Sequence, residues 1–306
     1  MKESNLDITL IEQISEELAI DPSFIEKDWY ATQALRVIHA ADSKECRFIF
    51  AGGTCLSKAY GLIERFSEDI DFKIAGELLA ERNIRRKIRE TIVKTLEKSD
   101  LFKIIDIKSE NESRKITIEV DYPRHFKTSS TLRPHIKVEI VFAEALLPVE
   151  KKDITTFCAK YKKDTEAPFS LCCVNPVETA AEKFSALLWR VPTTDRTEKL
   201  YTIKNDPTLL RHLYDLFALK DFVFKNSANF VGLVRKLYEE DKKRNPSDKN
   251  KTLKQAVSET IEKLTEDKAF EGDYKKFVHA MSYAKDNKQI SFFSALLNFK
   301  KISKMF

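Results

Sequence analysis

The chain has 306 residues, of which 42% are hydrophobic and 33% charged, so it can bury a sizeable core and is predicted to form two domains. Its formal net charge of +5 comes from 53 basic and 48 acidic residues, which permits a polyanionic partner without requiring one. Five cysteines form no C-x-x-C pair, which argues against a disulfide framework or a zinc finger and favours the reducing cytoplasm. No run of about 18 apolar residues occurs, so no membrane span is expected.

Residues 6–41 are predicted to form two helices. Asp21 is the expected N-cap of the second helix, and Pro22 occupies its first position. The polar cluster at Glu26, Lys27 and Asp28 is interpreted as a solvated helix face, with the adjoining tryptophan in the core.

The stretch from Phe48 to Ile74, FIFAGGTCLSKAYGLIERFSEDIDFKI, holds a short apolar strand, a glycine pair, a helical segment and an acid-bearing strand. The chain has only six glycines, so the adjacent Gly52 and Gly53 indicate a turn that needs backbone freedom. The later alternation predicts a strand with Asp69 and Asp71 on one face, about 7 Å apart. Two such carboxylates suit one or two divalent ions.

Residues 81–97 are predicted to form a helix that carries the densest cluster of arginine and lysine in the chain. Such a helix would suit a nucleic acid or a phosphate tail. Because glutamates are interleaved with the basic residues, an ordinary solvated face is an equally good interpretation.

Three alternating segments, residues 102–107, 115–122 and 135–142, are predicted to be further strands of one sheet. On the last of them Glu139 would present a third carboxylate beside the first two. Glu119 and Asp121 alternate in the same way on the preceding segment, and periodicity leaves the choice open. Glu139 is the preferred candidate.

The second half of the chain is predicted to be helical. Asn175 and Pro176 supply the cap and first position of a helix that carries Lys183. Everything beyond residue 195 favours helices. The sequence therefore predicts a mixed α/β domain over residues 1–195 and an α-helical bundle domain over residues 196–306.

Gly-Gly-Thr followed by Asp-x-Asp on a strand predicts a phosphate loop beside a metal platform. The amides of Gly52 and Gly53, together with Thr54, would approach phosphate oxygens at the start of a helix. The three predicted carboxylates would hold two Mg²⁺ ions, one activating an attacking hydroxyl and the other holding the triphosphate of an NTP. This chemistry is nucleotidyl transfer. Neither GxxxxGK[ST] nor GxGxxG occurs, which disfavours a Walker-type NTPase and a dinucleotide fold.

The motif GGTCLSKAYGLIERFSEDIDF resembles the signature of the AbiEii/AbiGii toxin-like nucleotidyltransferases. These enzymes are a branch of the polymerase-β-like superfamily found in abortive-infection and toxin–antitoxin systems, and the resemblance extends over most of the chain. The first family motif falls on Gly52, Gly53, Thr54, Lys58, Arg65, Ser67, Asp69 and Asp71. The acidic strand motif falls on Glu139, the helix lysine on Lys183, and the late Arg-Asp-x-x-Asp-Leu pattern on residues 211–216. In that late pattern Asp215 is kept, whereas His212 stands where family members often have aspartate.

The resemblance implies an enzyme that binds an NTP with Mg²⁺ and transfers a nucleotide, in some members to the acceptor end of tRNA. Growth arrest would follow until a cognate antitoxin reverses it. The resemblance also implies that Lys58, Arg65, Ser67 and Lys183 bind the nucleotide, and that Lys183 and Asp215 join the catalytic set.

Two other classes of function stay open. A small-molecule nucleotidyltransferase of the aminoglycoside-modifying kind would need an acidic acceptor pocket, whereas a basic cleft surface including Arg82 to Arg89 would favour RNA. A non-catalytic nucleotide-binding protein would bind NTP without turnover.

Overall fold

The computed structural model describes residues 6–41, 46–76, 81–162, 167–202, 204–244, 250–284 and 289–306. Their contacts divide the chain into two compact units. Unit 1 comprises Met1–Gly61 and Phe66–Val174, and unit 2 comprises Leu62–Arg65 and Asn175–Phe306. The division predicted at residue 195 assigned residues 176–190 to the first domain, whereas this helix packs with helices of unit 2.

A seven-stranded mixed sheet forms the centre of unit 1, in the order β3-β4-β5-β2-β1-β7-β6. Strand β1 runs parallel to β7, and β2 runs parallel to β5, whereas the other neighbours are antiparallel. The strands are β1 (Arg47–Ala51), β2 (Asp69–Ala75), β3 (Lys103–Glu110), β4 (Lys115–Asp121), β5 (Ile136–Phe142), β6 (Glu150–Ile154) and β7 (Phe169–Cys173). The predicted mixed α/β fold is confirmed.

The helices of unit 1 are α1 (Ile8–Leu18), α2 (Pro22–His39), α3 (Gly52–Lys58), α4 (Arg82–Glu97) and α5 (Phe157–Tyr161). As predicted, Asp21 caps α2, because its Oδ1 accepts a hydrogen bond of 2.9 Å from the amide of Ser23. The prediction of a solvated face on this helix is wrong: Glu26 and Lys27 are 1% and 3% exposed. Their charges are matched by groups from distant parts of unit 1.

The two faces of the sheet differ in chemistry. On β2 the side chains of Ile70, Phe72 and Ile74 enter the main hydrophobic core together with Ile92 and Leu96 of α4. Since side chains alternate along a strand, the aspartates of β2 lie on the opposite face from α4. We call the face that carries Asp69 and Asp71 the acidic face of the sheet. The opposite face is covered by α4.

Unit 2 is helical, with α6 (Pro176–Arg190), α7 (Arg211–Ala218), α8 (Lys220–Lys225), α9 (Ser227–Arg244), α10 (Leu253–Glu266), α11 (Ala269–Met281) and α12 (Phe292–Ser303). Asn175 caps α6 as predicted by accepting a 2.9 Å hydrogen bond from the amide of Val177. The buried ring of Phe184 stacks on Phe299 and Phe306 at centroid distances of 5.0 and 5.2 Å. The predicted helical second half is confirmed. Across the part of the chain that the structure describes, no helix combines the length and apolar character needed to cross a membrane.

Candidate active site

The turn between β1 and α3 has a backbone that only glycine suits. Gly52 has φ of +73°, a region that other residues rarely adopt. A Cβ placed on it would lie 1.9 Å from Oδ2 of Asp71, far inside van der Waals contact. Gly52 therefore lets the carboxylate of Asp71 lie directly against the backbone of the predicted phosphate loop.

The predicted acids occupy neighbouring positions of one sheet face. Asp71 on β2 is directly opposite Glu139 on β5, and Asp69 is opposite Lys137. Paired residues of adjacent strands share a face, so Asp69, Asp71 and Glu139 all lie on the acidic face.

The rival acids of β4 lie farther from β2, because β5 intervenes between the two strands. Glu119 pairs with Lys137, and Asp121 pairs with Lys103 of β3. Register thus places Glu139 nearest to Asp71. Its role as the third carboxylate stays a prediction.

Cations contact Asp69 and Glu139. A guanidinium nitrogen of Arg133 donates to Oδ1 of Asp69. Oε1 of Glu139 lies 2.7 Å from Nζ of Lys137 and 3.6 Å from Nζ of Lys115. Within the described ranges, no three acid, histidine or cysteine side chains converge as a metal cluster would. The oxygen donors nevertheless match the preference of Mg²⁺ for carboxylates, so the residue set fits such an ion once these cations are displaced.

Thr54 and Gly53 lie in the first turn of α3, and both are buried. The hydroxyl of Thr54 donates to the backbone carbonyl of Asp69, which ties the predicted phosphate loop to the strand that bears the acids. In this arrangement the hydroxyl positions β2. Its predicted contact with phosphate stays a prediction.

Lys58, predicted to bind the nucleotide, ends α3 as a buried side chain. Its Nζ lies 2.7 Å from Oδ1 of Asp28 and 2.7 Å from Oγ1 of Thr32, both on α2. Ser67 is half-buried in the segment that precedes β2. Their roles toward a nucleotide stay predictions.

A second charged cluster lies wholly within unit 2. Asp215 is completely buried and accepts two hydrogen bonds from Arg65, at 2.8 Å from Nε and 2.7 Å from a terminal nitrogen. Nζ of Lys183 lies 2.7 Å from Oδ2 of the same carboxylate. The structure therefore brings together three residues that the resemblance assigned to the site.

The pKa values of this cluster follow from burial and from two cations sharing one carboxylate. Burial acts to raise the pKa of Asp215, but Arg65 and Lys183 outweigh it and lower the pKa to about 2. Burial lowers the pKa of Lys183 below its ordinary value; Asp215 opposes this shift, and repulsion from Arg65 adds to it. Asp215 is thus ionised at every physiological pH, and it is the anion that holds both cations.

His212 lies beside this cluster on α7. Its Nε2 is 3.5 Å from a guanidinium nitrogen of Arg190, and its buried Nδ1 has no hydrogen-bond partner among the described residues. Burial, followed by repulsion from Lys183 and Arg211, places the pKa of His212 well below its ordinary value. The imidazole is therefore neutral where the related motif would carry a negative charge.

Sequence reasoning missed a buried network on the N-terminal part of α2. Nζ of Lys27 lies 2.6 Å from Oε2 of Glu68 and 2.7 Å from the carbonyl oxygen of Arg133. Oε1 of Glu26 accepts from the backbone amide of His125 at 2.8 Å. The charged cluster in the sequence of α2 was the available signal, but its partners lie 41 to 106 residues away along the chain.

The basic helix α4 does not lie on the acidic face. Ile92 and Leu96 pack into the core on the other side of the sheet, while Arg82, Arg86 and Lys87 are exposed. A basic cleft surface including Arg82 to Arg89 would favour RNA, but α4 lies on the opposite face of the sheet from the acids, because its apolar stripe packs into the core there.

A family model described as "Nucleotidyl transferase AbiEii toxin, Type IV TA system" matches residues 33–298. The chain belongs to this family of nucleotidyltransferase toxins, which confirms the resemblance seen in its motifs. Among solved structures, it is similar to MenT4, the nucleotidyltransferase toxin Rv2826c from Mycobacterium tuberculosis H37Rv, with a TM-score of 0.62 and 17% identity. That match covers 98% of this chain and 89% of the other, and it supports the fold. A comparison with curated proteins found no match.

Proposed function

We propose that this toxin transfers a nucleoside monophosphate from an NTP to a hydroxyl of RNA, most simply of tRNA, with Mg²⁺ as cofactor. One observation carries the proposal: Gly52 brings the backbone of the phosphate loop against Asp71, whose ladder partner is Glu139. The amides proposed to bind phosphate and the oxygens proposed to bind metal thus lie side by side, which is what a triphosphate with its metal ions requires.

Each residue has a stated role in this proposal. Asp69, Asp71 and Glu139 would hold two Mg²⁺ ions, which neutralise triphosphate charge and favour ionisation of the attacking hydroxyl. The hydroxyl oxygen forms a bond to the α-phosphorus, pyrophosphate leaves, and the hydroxyl proton passes to Glu139. The amides of Gly52 and Gly53 bind phosphate oxygens. Lys183 is proposed to neutralise charge on the leaving phosphates.

The biological role follows from the family. A type IV toxin–antitoxin system implies a cognate antitoxin and an NTP substrate. We propose that the toxin acts in the cytoplasm by modifying RNA and so stopping translation.

The direct test is labelling of RNA. Purified protein is incubated with Mg²⁺, total bacterial RNA and each α-³²P-labelled NTP in turn. Asp71→Asn should abolish labelling, because it removes a metal-binding charge while keeping nearly the same shape. The matched control is Asp106→Asn, which removes an acid from the same sheet face on edge strand β3.

A labelled band of tRNA size with the wild type and the control, but not with Asp71→Asn, would support the proposal. If label moved instead to an added aminoglycoside, the RNA acceptor would be wrong and the metal site would stand. If Asp71→Asn still labelled RNA, the assignment of the three acids as metal ligands would be wrong.

A further inference from the structure

Arg133 has a position that the proposed function does not use. It lies in the segment between β4 and β5, residues 122–135, and its guanidinium contacts the carboxylate of Asp69. A cation therefore engages one of the oxygens assigned to a metal ion.

The backbone of this segment is fastened to α2 at several points. The amide of Ser129 lies 3.2 Å from Oγ of Ser23, and the amide of His125 donates to Glu26 at 2.8 Å. The segment is thus held by buried groups of a core helix, and its path is defined by tertiary structure.

Arg133 itself is fixed on both sides of its Cα. Its amide donates to Oε2 of Glu68 at 3.0 Å, and its carbonyl accepts from Nζ of Lys27 at 2.7 Å. Lys27 and Glu68 in turn form a buried ion pair of 2.6 Å. These contacts fix the position of the Arg133 Cα, whatever the guanidinium contacts.

The side chain is less constrained than its backbone. It is 30% exposed, and an arginine side chain has enough rotatable bonds to move its guanidinium by several ångströms while the backbone stays in place. A guanidinium also matches phosphate oxygens in geometry and charge. Arg133 can therefore exchange a carboxylate partner for a phosphate partner without moving its loop.

We propose that Arg133 is a further substrate-binding residue: it neutralises Asp69 in the free protein, and it binds a phosphate oxygen of the NTP once a divalent ion occupies that carboxylate. The inference rests on the proposed function, since it takes Asp69 as a metal ligand. Electrostatics supports the exchange, because a divalent ion repels a guanidinium from the shared oxygen while a triphosphate attracts it.

Two effects of opposite sign distinguish this role from a structural one. If Arg133 competes for Asp69, removing it should strengthen binding of a divalent ion to the free protein. If it also binds phosphate, the same change should weaken binding of a polyphosphate in the presence of the ion. An arginine that only fastens the loop to β2 would not give this pair of effects. Its loss would weaken the binding of both the divalent ion and the polyphosphate.

The experiment measures Mn²⁺ binding by electron paramagnetic resonance, followed by calorimetric titration of tripolyphosphate at saturating Mn²⁺, so that no nucleobase needs to be known. Arg133→Ala should bind Mn²⁺ about two- to fivefold more tightly, the range that a partly exposed ion pair supplies. It should bind tripolyphosphate about tenfold or more weakly, as expected for loss of a charge-assisted hydrogen bond. The matched control is Arg124→Ala, which removes a cation from the same segment that pairs with Asp121 at 2.6 Å.

Arg133→Lys keeps the charge without the planar fork, and it decides the question if the alanine variant does not fold. It should bind Mn²⁺ like the wild type and bind tripolyphosphate several-fold more weakly. The inference is overturned if either Arg133 variant binds tripolyphosphate as tightly as Arg124→Ala does, or if Arg133→Ala binds Mn²⁺ no more tightly than that control. If wild-type protein binds neither ligand, the proposed function fails as well. If the wild type binds both ligands and the variants bind them equally well, the inference about Arg133 is wrong while the proposed function stands.

Discussion

Gly52 and Gly61 both have a left-handed backbone, but their surroundings differ. Both have positive φ, +73° and +63°, so alanine would strain either backbone by about 1 to 2 kcal/mol. A Cβ on Gly52 would meet Asp71, whereas nothing lies within 4 Å of one on Gly61. We expect Gly52→Ala to weaken Mn²⁺ binding and RNA labelling by at least about tenfold, since the displaced carboxylate loses its place beside the loop.

Gly61→Ala is the control for that prediction. It should lower the melting temperature through backbone strain alone and leave Mn²⁺ binding unchanged. If both variants lost Mn²⁺ binding equally, backbone strain would be the cause and the contact with Asp71 would not matter.

The lowered pKa of Asp215 predicts that the free energy of unfolding depends on pH. Its pKa is about 2 in the folded chain, below the ordinary value of 3.8, because Arg65 and Lys183 stabilise the charged form. A lowered pKa gives stability that is complete above about pH 4 and is lost as the pH falls toward 2. The full contribution is roughly 2 kcal/mol, and about 1.5 kcal/mol of it should appear as the difference in the free energy of unfolding, measured by urea denaturation, between pH 4.5 and pH 2.5.

Asp215→Asn supplies the comparison. It cannot titrate, so the part of the acid sensitivity that belongs to this group should disappear. At neutral pH the variant should also be less stable by about 3 to 5 kcal/mol, because two buried cations lose their anion. An asparagine variant with the wild-type acid profile would show that the pKa shift does not govern stability in this range.

At the scale of elements, the position of α4 separates its charges from the acids. The helix packs on the opposite face of the sheet, so reversing Lys87 and Lys94 to glutamate should leave Mn²⁺ binding and the rate of RNA labelling unchanged. Lys108 is exposed on the acidic face, opposite Thr117 of β4. Lys108→Glu should therefore slow RNA labelling several-fold at low salt, since RNA affinity depends on phosphate contacts.

The measurement is the initial rate of labelling over a range of salt concentrations. Loss of the Lys108 effect at high salt would identify it as electrostatic. A larger effect from the α4 reversal than from Lys108→Glu would place the acceptor on the helix-covered face and contradict this expectation.

At the scale of the whole molecule, unit 2 depends on four residues from the first quarter of the chain. Arg65 supplies the partner of Asp215, and its backbone forms a bridge to Ser282. The amide of Tyr283 donates to the carbonyl of Glu64 at 3.1 Å. A fragment of residues 175–306 lacks this segment, so we expect it to unfold at a lower urea concentration than unit 2 does in the intact chain.

The two tryptophans make that comparison direct. Trp29 belongs to unit 1 and Trp189 to unit 2, so Trp29→Phe leaves a single reporter on unit 2. Fluorescence of Trp189 should show a midpoint lower in the fragment by an amount corresponding to about 3 to 5 kcal/mol, the cost of removing one partner of a buried ion pair. Equal midpoints would mean that residues 62–65 contribute nothing to unit 2.

Features that depend on near neighbours were predictable from the sequence. Asp21 and Asn175 cap their helices because a cap bonds to an amide two residues away. The alternation on β2 placed Asp69 and Asp71 on one face for the same local reason. The motif around Gly52 also indicated the family, which the family model confirmed.

Features that depend on distant pairing were decided by tertiary structure. The order of strands sets β5 next to β2, and periodicity could not choose between Glu139 and the acids of β4. The interpretation of Glu26 and Lys27 as solvated failed because their partners come from remote segments. Arg133 shows no signal in the sequence, since its significance lies in a contact with Asp69 from 64 residues away. The sequence by itself determined the local elements and the chemistry they carry, whereas the meeting of charges across the chain required the fold, because an ion pair depends on distance in space.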